Sequence, residues 1–321
     1  MKRFGVFGGI LLALFAASGM AGEYGQHYVS LSAGLDAGAM KAPGFEAAVR
    51  VFSHYSSRWR GSDGGNGYYK REVFYVEPEL TWSSGNETVF GARYAASMAL
   101  PSLYHVEDMR KRDDVQSREH ITLKTGDLRI TPLTLGWDRG DCEVLLGYTV
   151  FAPTGQHDFK TPRPGKPVRP SGGKGYWTHM FNLGGAYYLD AGRTWTATVM
   201  AHYELHGRQD GTKVRFGDTF HIEYGVGKDF RNGFRLGLIG YASVQTRDNS
   251  PGMKRSDPRY AHIAYLENGA GNRVFGTGLE IGYESRFRGR LWFATARSAV
   301  EYGAKGAMRG WRNALDLGVR F

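Results

Sequence analysis

The chain has 321 residues and a formal charge of +10 at pH 7, from 41 basic and 31 acidic side chains. It is hydrophilic on average yet carries 19 Tyr, 18 Phe, 7 Trp and 46 Gly. Its one cysteine, Cys142, excludes an internal disulfide framework, and after Ala21 no apolar run approaches the ~20 residues of a spanning helix.

From the N-terminus, Lys2 and Arg3 head the uncharged run Phe4 to Ala17, followed by Ser18, Gly19 and Ala21 before the first acid, Glu23. This three-part layout predicts a signal peptide over residues 1–21, too short to anchor the chain, so export is expected. Removing Lys2 and Arg3 leaves +8 (+10 − 2). An exported basic chain argues against nucleic acid as a partner and for contact with anionic lipopolysaccharide or an acidic solute. Residues 22–43 are polar and glycine-rich, and are expected to form a periplasmic tail or a short plug.

From residue 44 onward the chain alternates, with segments near 44–55, 70–83, 87–100, 125–138, 141–153 and 176–189. In the third, Phe90, Ala92, Tyr94, Ala96, Met98 and Leu100 oppose Arg93 and Ser97, whereas Pro132 disturbs the fourth. Trp195, Ala197, Val199, Ala201, Tyr203 and Leu205 then oppose Thr196, Thr198, Met200, His202 and Glu204. The pattern repeats over 220–226, 234–244, 275–283 and 292–302. It ends with Trp311, Asn313, Leu315, Leu317, Val319 and Phe321 set against Arg312, Asp316 and Arg320. Side chains of a strand point alternately to opposite sides, so each segment has one greasy and one polar face. The terminal Phe321 resembles the closing-strand signal of bacterial outer-membrane barrels.

These are twelve candidate strands. Their links alternate between short, as at 84–86, 138–140, 190–192 and 231–233, and long, at about 56–69, 101–124, 154–175, 207–217, 248–272 and 303–309. Tight periplasmic turns and long extracellular loops produce that alternation. The expected fold is therefore all-β: a transmembrane antiparallel β-barrel of about 12 strands over residues 44–321, in the outer membrane, with both termini in the periplasm. Outer-membrane lipids, lipopolysaccharide and, through the Phe321 strand, the barrel-assembly machinery are the expected partners.

The inward faces carry Arg93, His202, Glu204, His221, Glu223, Arg235, Glu280, Glu284, Arg297, Glu301, Arg312, Asp316 and Arg320. So many enclosed charges are costly unless paired or wet, so a hydrated or ion-paired lumen is expected. Arg93, Arg297, Arg312 and Arg320 are candidates for orienting an anionic group; pairing with Glu280, Glu284, Glu301 and Asp316 is the simpler role. His202, Glu204, His221 and Glu223 have zinc-ligand chemistry, but a charge ladder yields the same set, and no metal site is predicted. Tyr176, Trp177 and His179, at the outer end of the sixth strand, are a candidate stacking lip, or else part of an interfacial aromatic girdle. The basic proline-rich stretch Lys160 to Lys174 suits a solvated loop touching lipopolysaccharide phosphates. The stretch Asp63 to Gly67 is a glycine-rich loop. No P-loop, GxSxG elbow or His-x-Ser-Asn-Gly signature is present, so neither catalysis nor a cofactor is expected.

Several stretches resemble one family: Ala42-Pro43-Gly44-Phe45, Gly147 to Gly155, Gly175-Tyr176-Trp177-Thr178-His179, Ala186 to Asp190, Thr194-Trp195, Tyr203 to Gly207 and Gly217-Asp218-Thr219. That family is the MetA-pathway of phenol degradation, SphA-like outer-membrane transporter proteins, and the resemblance runs from about residue 42 to 321. It implies uptake of aromatic or other hydrophobic compounds and assigns no catalytic residue. The expected function is a channel for passive uptake of such solutes. The alternative is a non-conducting barrel whose extracellular loops bind a partner or surface ligand.

Overall fold

The computed structural model describes residues 26–60, 66–67, 70–111, 114–120, 124–157, 172–211, 213–252 and 270–321. The expected signal peptide, residues 61–65 and most of the basic proline-rich stretch, 158–171, lie outside the described residues.

Twelve strands form one closed ring. They are β1 (Gly44–Arg60), β2 (Lys70–Val89), β3 (Ala92–Ala99), β4 (Leu128–Asp138), β5 (Cys142–Ala152), β6 (Thr178–Tyr188), β7 (Trp195–His206), β8 (Thr219–Asp229), β9 (Phe234–Gln245), β10 (Arg273–Phe287), β11 (Arg290–Lys305) and β12 (Ala307–Arg320). Each pairs antiparallel with its neighbours, and β12 closes on β1, placing Arg320 opposite Glu46, Leu317 opposite Val49 and Trp311 opposite Tyr55. This is the expected all-β antiparallel barrel.

Closure lets one sequence period satisfy two solvents. Phe45, Leu80, Met98, Leu183, Leu238, Leu279, Trp292 and Leu317 stand exposed on the outer wall, while Glu204, Glu223, Glu280, Arg297 and Glu301 are buried inside. A soluble domain reverses that distribution; a barrel facing hydrocarbon requires it.

Three expectations about the links change. Ser84-Gly85-Asn86 does not turn the chain: β2 runs on to Val89, and the reversal falls at Phe90 and Gly91, both at positive φ (52° and 69°). Ser84 Oγ donates to the Asn86 carbonyl and accepts from the Tyr94 N–H, so the turn-forming residues make a bulge, marked by a register shift between Ser83 and Glu87. The last outer link, expected to be long, is Gly306 alone (φ 58°), because β11 and β12 extend to Lys305 and from Ala307. The fourth strand starts at Leu128 rather than 125, and its register shifts between Ile130 and Leu133, around Pro132, which has no N–H for the ladder.

The break before β4 matches one after β3. Leu100–Pro101 and Gly126–Asp127 interrupt two neighbouring strands at one level, joined by a Gly126 N–H to Pro101 carbonyl bond of 2.7 Å. Beyond it, residues 102–111 keep the register of β3, so that Glu79 opposite Ala99 continues as Val76 opposite Ser102. Residues 114–120 pair back on 102–111, and the sheet projects past the barrel rim.

If the exposed wall faces hydrocarbon, Leu279→Arg, in the middle of β10, should cost about 2–4 kcal/mol of unfolding free energy in phospholipid vesicles. Urea titration measures it; Leu279→Ala should cost clearly less, and equal costs would contradict a lipid-facing position.

Candidate functional site

Residues 26–43 have no strand of their own and run through the lumen. Their backbone N–H groups still need acceptors, since irregular chain at membrane depth cannot leave them bare. Wall carboxylates supply these acceptors. Glu204 accepts from His27 N (3.1 Å) and Tyr28 N (2.7 Å). Glu223 accepts from Ser32, Ala33 and Gly34 N at 3.1, 3.0 and 3.2 Å, and from Tyr28 Oη at 2.8 Å. Glu280 accepts from Leu35 N (2.9 Å) and Glu143 from Met40 N (2.8 Å).

The segment descends from the outer mouth to the periplasmic end, where the Lys41 carbonyl accepts from Arg93 and Lys41 Nζ lies 3.3 Å from Glu46. Its one regular turn is a 3-10 helix, Gly34–Asp36. The Leu35 side chain fills a recess over Gly225, Gly227 and Gly237, where an added Cβ would lie 2.3 to 2.9 Å from it. Glycines at inward positions of β8 and β9 thus make a socket for one leucine.

At the mouth, a hydrogen-bonded chain ties this segment to the wall and loops. His27 Nε2 donates to Asp127 Oδ2 (2.9 Å), so its Nδ1 accepts from Thr178 Oγ1 (2.8 Å), which in turn accepts from His206 Nδ1 (2.8 Å). Asp127 also accepts from Gly155 N (3.0 Å) and Lys174 N (2.7 Å), clasping the chain on either side of the loop between β5 and β6. Burial holds the His27 imidazole below its ordinary pKa against the pull of Asp127. Burial pushes the Asp127 carboxyl up, but the bonds from His27, Lys174 and Gly155 outweigh it and hold it below its ordinary value.

The remaining lumen charges form ion pairs. Arg297 contacts Glu280 (2.8 Å) and Asp316 (2.7 Å), Arg312 contacts Glu301 (3.1 Å), and Arg320 contacts Glu46 (2.7 Å). Arg235 bridges Asp36 (2.6 Å) and Glu280 (2.8 Å). Glu284 is exposed near the periplasmic turn between β10 and β11. Along the wall, Arg50 reaches its cross-strand partners Asp316 (2.8 Å) and Glu77 (3.3 Å), and Arg129 reaches Glu77 (2.8 Å) and Glu79 (3.1 Å). Arg50, Glu77, Glu79, Arg129 and Glu143 are absent from the sequence-derived set, although the two-residue period of β1, from Glu46 through Arg50 to His54, was available to find the first.

His202 and His221 are cross-strand partners, and His221 Nε2 lies 3.2 Å from Glu204 Oε2. Among the described residues no group of three or more His, Cys, Asp or Glu is arranged to hold a metal ion. Tyr176, Trp177 and His179 do not form one surface, because successive residues turn to opposite sides of the wall. Tyr176, 2% exposed, packs edge-on to His27 and against Phe216 inside the mouth. Trp177 is 52% exposed. His179 Nδ1 meets Tyr148 Oη at 2.6 Å on the outer wall.

The family described as MetA-pathway of phenol degradation matches residues 58–312. No curated protein matches the chain. Among solved structures, the COG4313 outer membrane channel from Pseudomonas putida F1 is 11% identical, with 92% of this chain and 100% of that one covered and a TM-score of 0.67. That likeness shows the fold of an outer-membrane barrel. The β-domain of the Bordetella autotransporter BrkA is 13% identical over 87% of this chain and 100% of that one, with a TM-score of 0.44. The TodX monoaromatic hydrocarbon channel is 9% identical over 88% and 91%, with a TM-score of 0.41. Neither of these two fainter likenesses carries weight for this chain.

Replacing Glu223 with Ala would strip up to four donors of their acceptor, at roughly 1–3 kcal/mol for each group left buried and unpaired. A Ser32→Cys reporter should then react with a maleimide much faster than in the Glu223 parent, while the heat-modifiable mobility of the folded barrel is retained. An unchanged labelling rate would mean that Glu223 does not hold the segment.

The Asp127 clasp has a defined pH sign. A carboxylate with a depressed folded pKa stabilises above its unfolded value, about 3.9, and that contribution is lost as pH falls through the lower folded value. Asp127→Asn should therefore lower the melting temperature at pH 6, with the gap to the parent closing below about pH 4. A gap independent of pH would assign the loss to packing instead.

Proposed function

The chain belongs to the MetA-pathway of phenol degradation family, and from that premise we propose that it is an outer-membrane channel for passive uptake of small hydrophobic or aromatic compounds. In this reading residues 1–21 direct export, the stretch 22–43 acts as a plug through its residues 26–43, and residues 44–321 form the barrel.

The observation that carries this reading is how the segment is held. Its backbone N–H groups bond wall carboxylates rather than a strand. It can therefore shift or leave without unzipping any of the twelve strand pairs. Phe151, Met180 and Tyr176 pack around His27 and Tyr28 at its upper end with apolar and aromatic surface, which suits a planar aromatic solute. Tyr176 takes the stacking role on the inner side of the mouth, and Trp177 and His179 belong to the outer wall.

The arginines divide by position. Arg297 and Arg312, buried against carboxylates, keep the wall rigid and neutral. Arg93 and Arg320, near the periplasmic end, form the exit. The reading assigns passage rather than catalysis, and no energy-coupling group is required. The sheet that projects beyond the rim favours the alternative, a non-conducting barrel that binds a partner through its loops.

Liposome swelling with phenols, benzoates, fatty acids and sugars, alongside planar-bilayer conductance, tests the proposal. The full mature chain should admit phenols ahead of sugars, and deleting residues 22–43 should raise conductance several-fold and relax that preference. If neither form conducts or admits any solute, the channel reading fails and the loop-binding alternative stands.

A further inference from the structure

Above β7 and β8 the chain builds a small basic shelf. Arg208 and Arg215 are direct partners in an antiparallel bridge, and Arg215 is bridged in turn to Ser250. Directly opposed side chains sit about 4.5–5.5 Å apart at Cβ, where like charges repel. The alternate positions Gln209, Val214 and Phe216 are buried in the mouth, Phe216 against Tyr176. One residue out of phase, Arg208 and Arg215 face away from the lumen.

That side continues the outer wall. Gly207 N bonds the carbonyl of the exposed Trp177, and Tyr203 Oη lies 3.3 Å from Thr246 Oγ1 just below. Arg247, 66% exposed, joins the pair from the next loop. A single buried carboxylate serves two of the three guanidinium groups: Asp218 lies 3.2 Å from Arg215 and 3.2 Å from Arg247. Arg208 meets the Lys213 carbonyl at 3.1 Å. Lys213 and Asp210 pair with each other and cancel. Three arginines over Asp218 leave +2 (+3 − 1) where the guanidinium groups meet, Asp248 beside Arg247 accepting instead from Ala270 N.

A cationic shelf one step above lipid-facing aromatics lies at headgroup depth. Guanidinium forks match phosphate oxygens bidentately, and a dianionic phosphomonoester would neutralise the +2 and relieve the opposed arginines. We propose that Arg208, Arg215 and Arg247 bind a phosphate group of a phosphorylated glycolipid of the outer leaflet, whose acyl chains lie on the wall below Trp177 and Tyr203. This site is independent of solute passage.

The test uses the full mature barrel in detergent, titrated with bisphosphorylated lipid A, with the same lipid stripped of phosphate, and with inorganic phosphate. The bisphosphorylated lipid should bind, and the combined Arg208→Gln, Arg215→Gln, Arg247→Gln variant should bind it about tenfold more weakly or worse. Arg247→Gln alone, at an exposed position, should weaken binding several-fold and guards against a folding defect in the triple variant. Equal affinity for the stripped lipid, or unchanged affinity in both variants, overturns the proposal. Inorganic phosphate binding as tightly as the lipid would make the shelf a site for free phosphate and would also overturn it.

Discussion

Closure of β12 on β1 is the constraint on which the rest of the molecule depends. Hydrocarbon offers no donor or acceptor, so an open sheet edge at membrane depth would leave a row of bare N–H and carbonyl groups. With Arg320 opposite Glu46 and Trp311 opposite Tyr55, the last strand meets the first and no edge remains in the ring. The other strand properties follow. An outer face open to lipid must be apolar, and an inner face enclosed by the same wall must pair or hydrate whatever charge it carries. Past Pro101 and Gly126 the ladder continues beyond the ring, with residues 102–108 on β2 and residues 114–120 folded back on them.

Inside, the carboxylates do two jobs with one charge. Glu280 accepts from Arg297 and from Leu35 N, and Glu143 from Tyr188 Oη and Met40 N. Taking a carboxylate out of water costs several kcal/mol, so an enclosed acid with spare lone pairs is a liability. The N-terminal segment consumes those lone pairs, and the acids in turn meet the needs of a chain that has no strand partner. Glu223 shows the exchange most plainly, accepting from Tyr28 Oη and from the three N–H groups of Ser32, Ala33 and Gly34, all of them in the segment.

How much of this could be read beforehand follows the same physics. Lipid enforces the two-residue period over every strand, so all twelve strands and the inward placement of Arg297, Arg312, Asp316 and Arg320 are visible in the bare sequence. Local turn chemistry is a weaker guide. Ser84-Gly85-Asn86 has the composition of a turn, yet its side chains close a bulge, and the reversal falls to Phe90, a residue few would place at positive φ. The route of residues 26–43 has no period at all, since it is set by carboxylates more than a hundred residues away. The partners Arg50, Glu77 and Arg129 come together only once β1 to β4 are assembled in register, with Arg129 reaching past β3 to β2.

A lumen so rich in charge sits uneasily with a hydrophobic solute until the pairing is considered. An unpaired charge holds its water tightly and would make a greasy molecule strip that water away. A carboxylate already bonded to a guanidinium, as in Arg297 with Glu280 and Asp316, projects little field beyond the pair and demands little further hydration. Displacing the segment would cost its hydrogen bonds to Glu204 and Glu223, but those acceptors would then face water admitted with the solute. It would also break the pairs of Asp36 with Arg235 and of Lys41 with Glu46, whereas the pairs made within the wall, Arg297 with Glu280 and Asp316 and Arg312 with Glu301, would be left intact. A neutralised polar wall is thus compatible with an apolar cargo, and for the passage proposed above the energetic step would lie in moving the segment rather than in crossing the charges.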